Sequence, residues 1–290
     1  MPIGKAEGLT EKVEPPLRTG CAACGAFPDV VAWLSMRIVS LLPSATELLY
    51  AVGAGDALVG RSPHCDWPTE VLETPIADES LDHLKPDLIL GPKGCAEALS
   101  RCDAAVLEFN PTSIFDVFDD CLRIGKAAGC EQDAEQTMVA LRSRYWSAID
   151  FVNPYVPGPS VLFLEWLEPL RVGGLWTPTL IENAGAQPAL TTAGAPSRLI
   201  THEEIIAAKP DRIIVAPCSY DLETIGANIP SLFDQGWCDA VEIVDGIAMF
   251  NRPGPRLVDS FEWLVGWINN RPELVPAGFP ARSIRKDALS

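Results

Sequence analysis

Three histidines and nine cysteines are the side chains of this 290-residue chain best suited to act as nucleophiles or metal ligands. His64, His83 and His202 lie far apart, so a three-histidine metal centre would require all three to converge in space. His83 and His202 each fall in an expected helix close to a Lys-Pro-Asp stop, where a solvent-facing role is the simpler expectation. His64 differs, because it stands in a loop, Pro63-His64-Cys65-Asp66-Trp67-Pro68, that follows an expected strand. Open α/β sheets bind ligands at that end of their strands. Cys65 beside it opens an enzymatic reading, but adjacent residues form a thiolate–imidazolium pair only if the loop folds back. Cys21 and Cys24 have redox or zinc spacing, yet a four-thiolate zinc centre needs a second close pair and none follows. The chain also lacks GxGxxG after a strand, GxxxxGK[ST], HExxH and GxSxG, so dinucleotide, nucleotide triphosphate, zincin and hydrolase chemistries have no local signature.

Aromatic residues gather at the same kind of position as His64. Trp67 is in its loop, Trp166 ends the apolar run from Ser160, Trp176 follows Gly173-Gly174, and Phe250 precedes Asn251-Arg252-Pro-Gly-Pro. Any one of these rings could serve the core. Several in Gly- and Pro-flanked loops fit a cleft that offers flat apolar faces to a large ligand.

The elements that must position these residues follow from periodicity. Arg37 to Leu42 is an apolar run of strand length, and Pro43 to Gly53 continues as a turn, a capped helix and a glycine stop, the opening unit of a parallel sheet. Further strands are expected at Ala57–Gly60, before Gly91 and at Ala105–Phe109, which closes a first α/β lobe over 37–112. Residues 1–36 form an arm with one apolar stretch, Val30–Leu34. Residues 113–151 keep helical periodicity and are assigned to one long helix, unless Gly129-Cys130 divides it. A second α/β lobe over 152–273 has strands at Ser160–Trp166, 211–217 and 242–245 and helices at 178–184, 201–208 and 256–269, leaving 274–290 as a tail. Leu84-Lys85-Pro86-Asp87 is echoed by Ala208-Lys209-Pro210-Asp211, each a helix stopped by proline before a buried strand, which hints at duplicated lobes.

Composition narrows the class. The chain is 48% apolar and 21% charged, enough to bury two cores, and its formal charge of -17 disfavours nucleic acid and anionic lipid. No run of 18 apolar residues is present. The first residues carry charges and prolines where a secretory signal has its apolar core, and the scattered cysteines read as mostly free thiols. The expected location is cytoplasmic for the chain as written, or periplasmic if an export signal has been removed.

Four phrases occur in order: Arg37-Ile-Val-Ser-Leu-Leu-Pro-Ser-Ala-Thr-Glu47, Cys65-Asp-Trp-Pro68, Leu164-Glu-Trp-Leu-Glu-Pro169 and Phe250-Asn-Arg-Pro-Gly-Pro-Arg-Leu-Val258. Together they resemble the BtuF-like cobalamin-binding proteins of ABC importers, over roughly Arg37 to Asn269. The resemblance implies a class III periplasmic binding protein fold, in which two Rossmann-like lobes with parallel sheets are bridged by one long helix, here 113–151, and move little. It implies a corrinoid, cobalamin or a relative, in the inter-lobe cleft, contacted by His64, Trp67, Trp166, Trp176, Phe250, Asn251 and Arg252. It implies no catalysis, and an ABC permease partner met near Glu79 and Glu203. Two roles stay open for His64, cobalt ligation and a packing or hydrogen-bonding contact to the corrin. Receptors for haem or an iron-siderophore, an intracellular corrinoid carrier, and a small-molecule enzyme using Cys65 and His64 remain as alternatives. Bare metal is disfavoured by the absence of clustered ligand spacing.

Overall fold

Residues 36–77, 81–99 and 102–288 are described by a computed structural model. The arm up to residue 35, with Cys21 and Cys24, and the docking candidate Glu79 lie outside the described residues. The first lobe is built on four parallel strands, β1 (Ile38–Ser40), β2 (Leu58–Arg61), β3 (Leu88–Pro92) and β4 (Ala105–Phe109), in the order β2-β1-β3-β4. A parallel sheet must bury both faces, and successive residues of β1 do so: Ile38 enters the main core while Val39 packs with Leu81, Leu84 and Ile89 on the other side. Helix α1 (Pro43–Ala51) starts two residues after β1 without a side-chain cap, because proline at the first turn has no N–H to satisfy. Helix α2 (Cys95–Ala98) is a single turn between β3 and β4.

The bridge is a helical hairpin where one long helix was the expectation. Helix α3 (Ile114–Ala128) opens with a capping box between Ser113 and Asp116 and stops at Gly129, whose φ of +74° suits glycine. Helix α4 (Glu131–Ile149) then runs back along it. Periodicity could not reveal the reversal, because both arms turn an apolar stripe to the same core. The arms approach closely at Gly125, where an added Cβ would lie 2.1 Å from the Ala134 Cβ. Tyr145 of α4 is fully buried between Phe118 of α3 and the second lobe.

The second lobe carries β5 (Ser160–Leu167), β6 (Leu170–Val172), β7 (Gln187–Pro188), β8 (Arg198–Leu199), β9 (Arg212–Val215), β10 (Ala240–Val244) and β11 (Ala281–Arg285). Its order is β11-β10-β9-β5-β6-β8, with β7 beside β5. Strands β5, β9 and β10 are parallel, while β6, β8 and β11 run antiparallel to their neighbours. The expected tail therefore belongs to the lobe, since β11 pairs along all of β10. Helices α5 (Trp176–Asn183), α6 (His202–Ala208), α7 (Leu222–Asp234) and α8 (Arg256–Asn269) complete it, and α7 went unread in the sequence. Tyr145 meets this lobe through Phe261 of α8, ring centroids 4.4 Å apart, and accepts a 2.6 Å hydrogen bond from Asn183 of α5.

The Lys-Pro-Asp echo has the same structural content in both lobes. Lys85 and Lys209 both adopt left-handed backbone, with φ of 44° and 48°. Asp87 then accepts the Arg37 N–H and Asp211 the Ser160 N–H, each at 2.8 Å, so each aspartate satisfies a donor at the start of the neighbouring parallel strand.

The hairpin packing yields a stability prediction. Gly125→Val should lower unfolding stability by about 1–3 kcal/mol through overpacking, read as a lower urea midpoint with an unchanged slope. A midpoint equal to wild type would contradict the close approach of α3 and α4.

Candidate ligand-binding site

The carboxyl ends of β1, β2, β9 and β10 deliver their following loops to a cleft of about 400 Å³ between the lobes. That volume lies in the range of small-molecule sites, and strand ends are where α/β sheets bind ligands. Leu42, Pro43, Ser44 and His64 line it from the first lobe, and Cys218, Ser219, Ile247, Asn251, Arg252 and Pro253 from the second. Of the residues expected from the sequence, His64, Asn251 and Arg252 are thus brought together.

His64 is exposed, and the Arg252 guanidinium donates to its backbone carbonyl at 3.5 Å. The Cys65 thiol is fully buried, 3.1 Å from the Thr46 hydroxyl and 3.2 Å from that of Ser62. Adjacent residues 64 and 65 therefore face solvent and core respectively, which removes the thiolate–imidazolium pair of the enzymatic alternative. Asn251 donates to the carbonyls of Ala216 (2.8 Å) and Gly246 (2.9 Å), tying together the segments that leave β9 and β10.

Arg252 joins the lobes. It pairs with Asp66, the closest contact 2.5 Å, and with Glu47 of α1 at 3.4 Å. Arg256 grips Glu47 with two further contacts, 3.0 and 2.5 Å, and lies 4.9 Å above the Trp67 ring. The Glu47 side chain is only 1% exposed. Burial raises its carboxyl above the usual range, and the hydrogen bonds and charges of Arg256 and Arg252 offset this only in part. At Asp66 partial burial acts upward too, but the Arg252 hydrogen bond and charge outweigh it and hold the carboxyl below its usual range.

The remaining aromatic expectations divide. Phe250 is fully buried, packed against Phe163 and Trp263, so its ring belongs to the core and does not face a ligand. Trp176 donates its indole N–H to the Phe250 carbonyl at 2.7 Å and so supports the turn that carries Asn251 and Arg252. Trp166 stands at the end of β5 with its ring 6.1 Å from Tyr220, one residue beyond the cleft-lining Ser219. Trp67 opens on a separate groove of about 770 Å³, shared with Tyr50, Glu70, Glu73 and Arg144. That groove is larger but lies beside the second half of α1, and Asp56, Glu70 and Glu73 make one side of it acidic.

His202 packs against Trp237, ring centroids 5.5 Å apart, with Nδ1 buried, so its expected solvent-facing role is corrected. His83 is exposed in a short turn, Leu81–Leu84, rather than in a regular helix. Glu203 is exposed on the first turn of α6. Sequence reading missed Glu47, Arg256 and Cys218. Glu47 had a signal, a charge inside an apolar helical run, because such a residue is buried only with a partner. Among the described residues no group of three or more His, Cys, Asp or Glu could hold a bare metal ion, and no helix is long and apolar enough to cross a membrane.

Two predictions follow from the charge cluster. Arg256→Met should cost about 3–5 kcal/mol in urea unfolding, because it strands most of a buried carboxylate charge; a loss under about 1 kcal/mol would contradict the pairing. Asp66, depressed in the fold, contributes stability that is complete above its unfolded value near 4 and lost as pH falls through the folded value. Glu47, raised in the fold, works in the opposite sense and is relieved as pH falls through its folded value. Asp66→Asn should therefore flatten the acid limb of a stability–pH curve below about pH 4, and an acid limb as steep as wild type would assign that loss elsewhere.

Comparison with known proteins accounts for this architecture. Residues 38–232 match the periplasmic binding protein family. The chain is 24% identical over 251 residues to the vitamin B12-binding protein of Photorhabdus laumondii, covering 81% of this chain and 88% of that one. Its fold is similar to that of the periplasmic vitamin B12 binding protein BtuF of Vibrio cholerae, with a TM-score of 0.65 and 19% identity over 82% of this chain and 98% of that one. It is equally similar to a periplasmic heme binding protein from Pseudomonas aeruginosa, with a TM-score of 0.68 and 20% identity over 87% and 96%. The family match spans β1 to α7 and thus both sides of the cleft, and the chain belongs to the periplasmic binding protein family, whose members are binding proteins and not enzymes.

Proposed function

We propose that the protein binds a corrinoid, cobalamin or a close relative, in the cleft between its lobes. The observation that carries this reading is the identity with a vitamin B12-binding protein across most of both chains. Charge in the cleft favours it over haem. Haem presents two carboxylates, whereas a corrinoid periphery is rich in neutral amides. Among the described residues lining the cleft, Arg252 is the one permanent cation, and it is already paired with Asp66 and Glu47. Ser44, Ser219 and Asn251 supply neutral polar groups that suit amides, while Pro43, Ile247 and Pro253 supply apolar contact.

In this reading His64 meets the corrin from the first lobe, either ligating cobalt through a neutral imidazole nitrogen or contacting the ring edge. Trp166 contributes from the rim, and Trp67, Trp176 and Phe250 act by holding the loops that carry the contacts. The protein works as the substrate-binding component of an ABC importer in the periplasm, meeting its permease through Glu203 and Glu79. A second reading, an intracellular carrier of the same ligand, is favoured by the seven free cysteines among the described residues.

A visible absorption titration with aquocobalamin, comparing wild type and His64→Ala, tests the assignment. Saturation at one equivalent with a spectral shift lost in the variant is the expected result. Saturation with a shift unchanged in the variant would leave His64 as a contact without ligation. Absence of binding at micromolar concentrations would overturn the corrinoid reading.

A further inference from the structure

The cation that lines the cleft is held by a carboxylate that does not line it. Arg252 donates to both oxygens of Asp66, at 2.5 and 3.0 Å, the paired geometry in which a guanidinium binds a carboxylate most strongly. Glu47, the other acidic partner of Arg252, stands at 3.4 Å and has both oxygens already bonded to Arg256, at 3.0 and 2.5 Å. The four side chains carry two positive and two negative charges and are neutral as a set. Their two carboxylates are not equivalent. The Glu47 side chain is 1% exposed and ties α1 to the second lobe, whereas that of Asp66 is 46% exposed in the loop after β2. A pair kept half in water adds less to stability than one sealed between the lobes. The larger effect of Asp66 falls on Arg252, which without it presents an unbalanced charge to the cleft.

We propose that Asp66 sets the ligand preference of the cleft: by occupying Arg252 it withholds that cation from macrocycles edged with carboxylates and leaves the advantage to those edged with amides. The assignment rests on the corrinoid reading and adds to it the residue that decides which edge chemistry is taken. Asp66 acts through Arg252, which lines the cleft where Asp66 does not, and so it is a positioning residue. A ligand carboxylate approaching Arg252 finds the Nη1–Nη2 edge of the guanidinium filled by Asp66 and meets the repulsion of a like charge behind it. A neutral amide meets no such repulsion. Asparagine at this position keeps a carbonyl oxygen that can accept from Arg252, so the loop stays anchored while the charge is removed and the cleft gains a cation.

Two corrinoids with the same ring and the same axial cyanides isolate the edge: dicyanocobinamide, whose periphery carries amides, and dicyanocobyrinic acid, which has carboxylates in their place. Both are measured by equilibrium dialysis, at low and high salt, against full-length wild type, Asp66→Asn, Asp66→Glu and the double variant Asp66→Asn, Arg252→Gln. Glu135→Gln serves as the charge control, removing one exposed negative charge on α4 outside the cleft. The expected result is that wild type prefers dicyanocobinamide and that Asp66→Asn shifts the ratio of the two affinities about tenfold towards the acid, the effect of one close charge pair. The shift should be larger at low salt than at high. Asp66→Glu should stay near the wild-type ratio, and the shift should be absent from the double variant and from Glu135→Gln. A wild type that takes the acid as tightly as the amide, or a wild-type ratio in Asp66→Asn, would overturn the assignment while leaving the corrinoid reading intact. The same holds for an equal shift in Asp66→Glu, Glu135→Gln or the double variant, and for loss of dicyanocobinamide from Asp66→Asn alone. Failure of the wild type to retain dicyanocobinamide would overturn that reading and this assignment with it.

Discussion

Glu47 puts a carboxylate on the apolar side of α1, where its side chain is 1% exposed, and removing such a charge from water costs several kcal/mol unless opposite charge meets it. Both of its cations, Arg252 and Arg256, come from the other lobe. The first lobe is therefore completed electrostatically only when the second is seated against it. The same arginines fix the loop that carries His64. Asp66 is held by Arg252, Trp67 lies under Arg256, and Cys65 is sunk against Thr46 and Ser62. With three consecutive residues pinned, the backbone that carries His64 is held in place, and a loop held in advance loses less entropy when ligand arrives.

Packing reinforces the same register. Helix α3 lies on the first lobe through α1, and α4 lies on the second through α8, so the hairpin bears on both. Tyr145 ties α4 to α5 and α8, and Arg144 beside it pairs with Asp259 and Glu262. One continuous hydrophobic core runs from Ile38 of β1 through Val117 and Leu141 of the hairpin to Phe261 of α8. Large relative motion of the lobes would have to open that core and separate Glu47 from its arginines. Small adjustments at the cleft are the inexpensive ones.

Much of this was legible in the residues. Each parallel strand from β1 to β4 and the helix α8 carry dense apolar runs bounded by Gly, Pro or Asp, and such runs announce themselves. The hairpin was not legible as a reversal because a single left-handed residue, Gly129, redirects a stripe whose period never changes. Strand β11 hid for another reason: at an edge, with residues such as Ser283 and Arg285 exposed, its sequence shows no buried run. Helix α7 was masked by Pro230 within it. In the cleft, His64 was readable from loop position and Asn251 and Arg252 only through the family resemblance, whereas the opposite fates of Trp67 and Phe250 depend on which side of a loop packs first. Glu47 with Arg256, more than 200 residues apart, is a contact only the tertiary fold can reveal.

The chemistry of the cleft follows from that arrangement. Its one fixed cation is consumed by the contact between lobes, so the space left to a ligand is apolar and neutral-polar with an imidazole and a thiol at its walls. On the corrinoid reading proposed above, such a site takes a macrocycle by its neutral edge and gives little to an anionic one. Competition calorimetry on the wild-type protein measures this directly, with cyanocobalamin titrated into protein alone and into protein mixed with one equivalent of haemin. The account predicts one corrinoid bound per chain in both titrations, with haemin weak enough to leave the corrinoid affinity almost unchanged. Tight stoichiometric haemin binding that abolishes the corrinoid signal would contradict it.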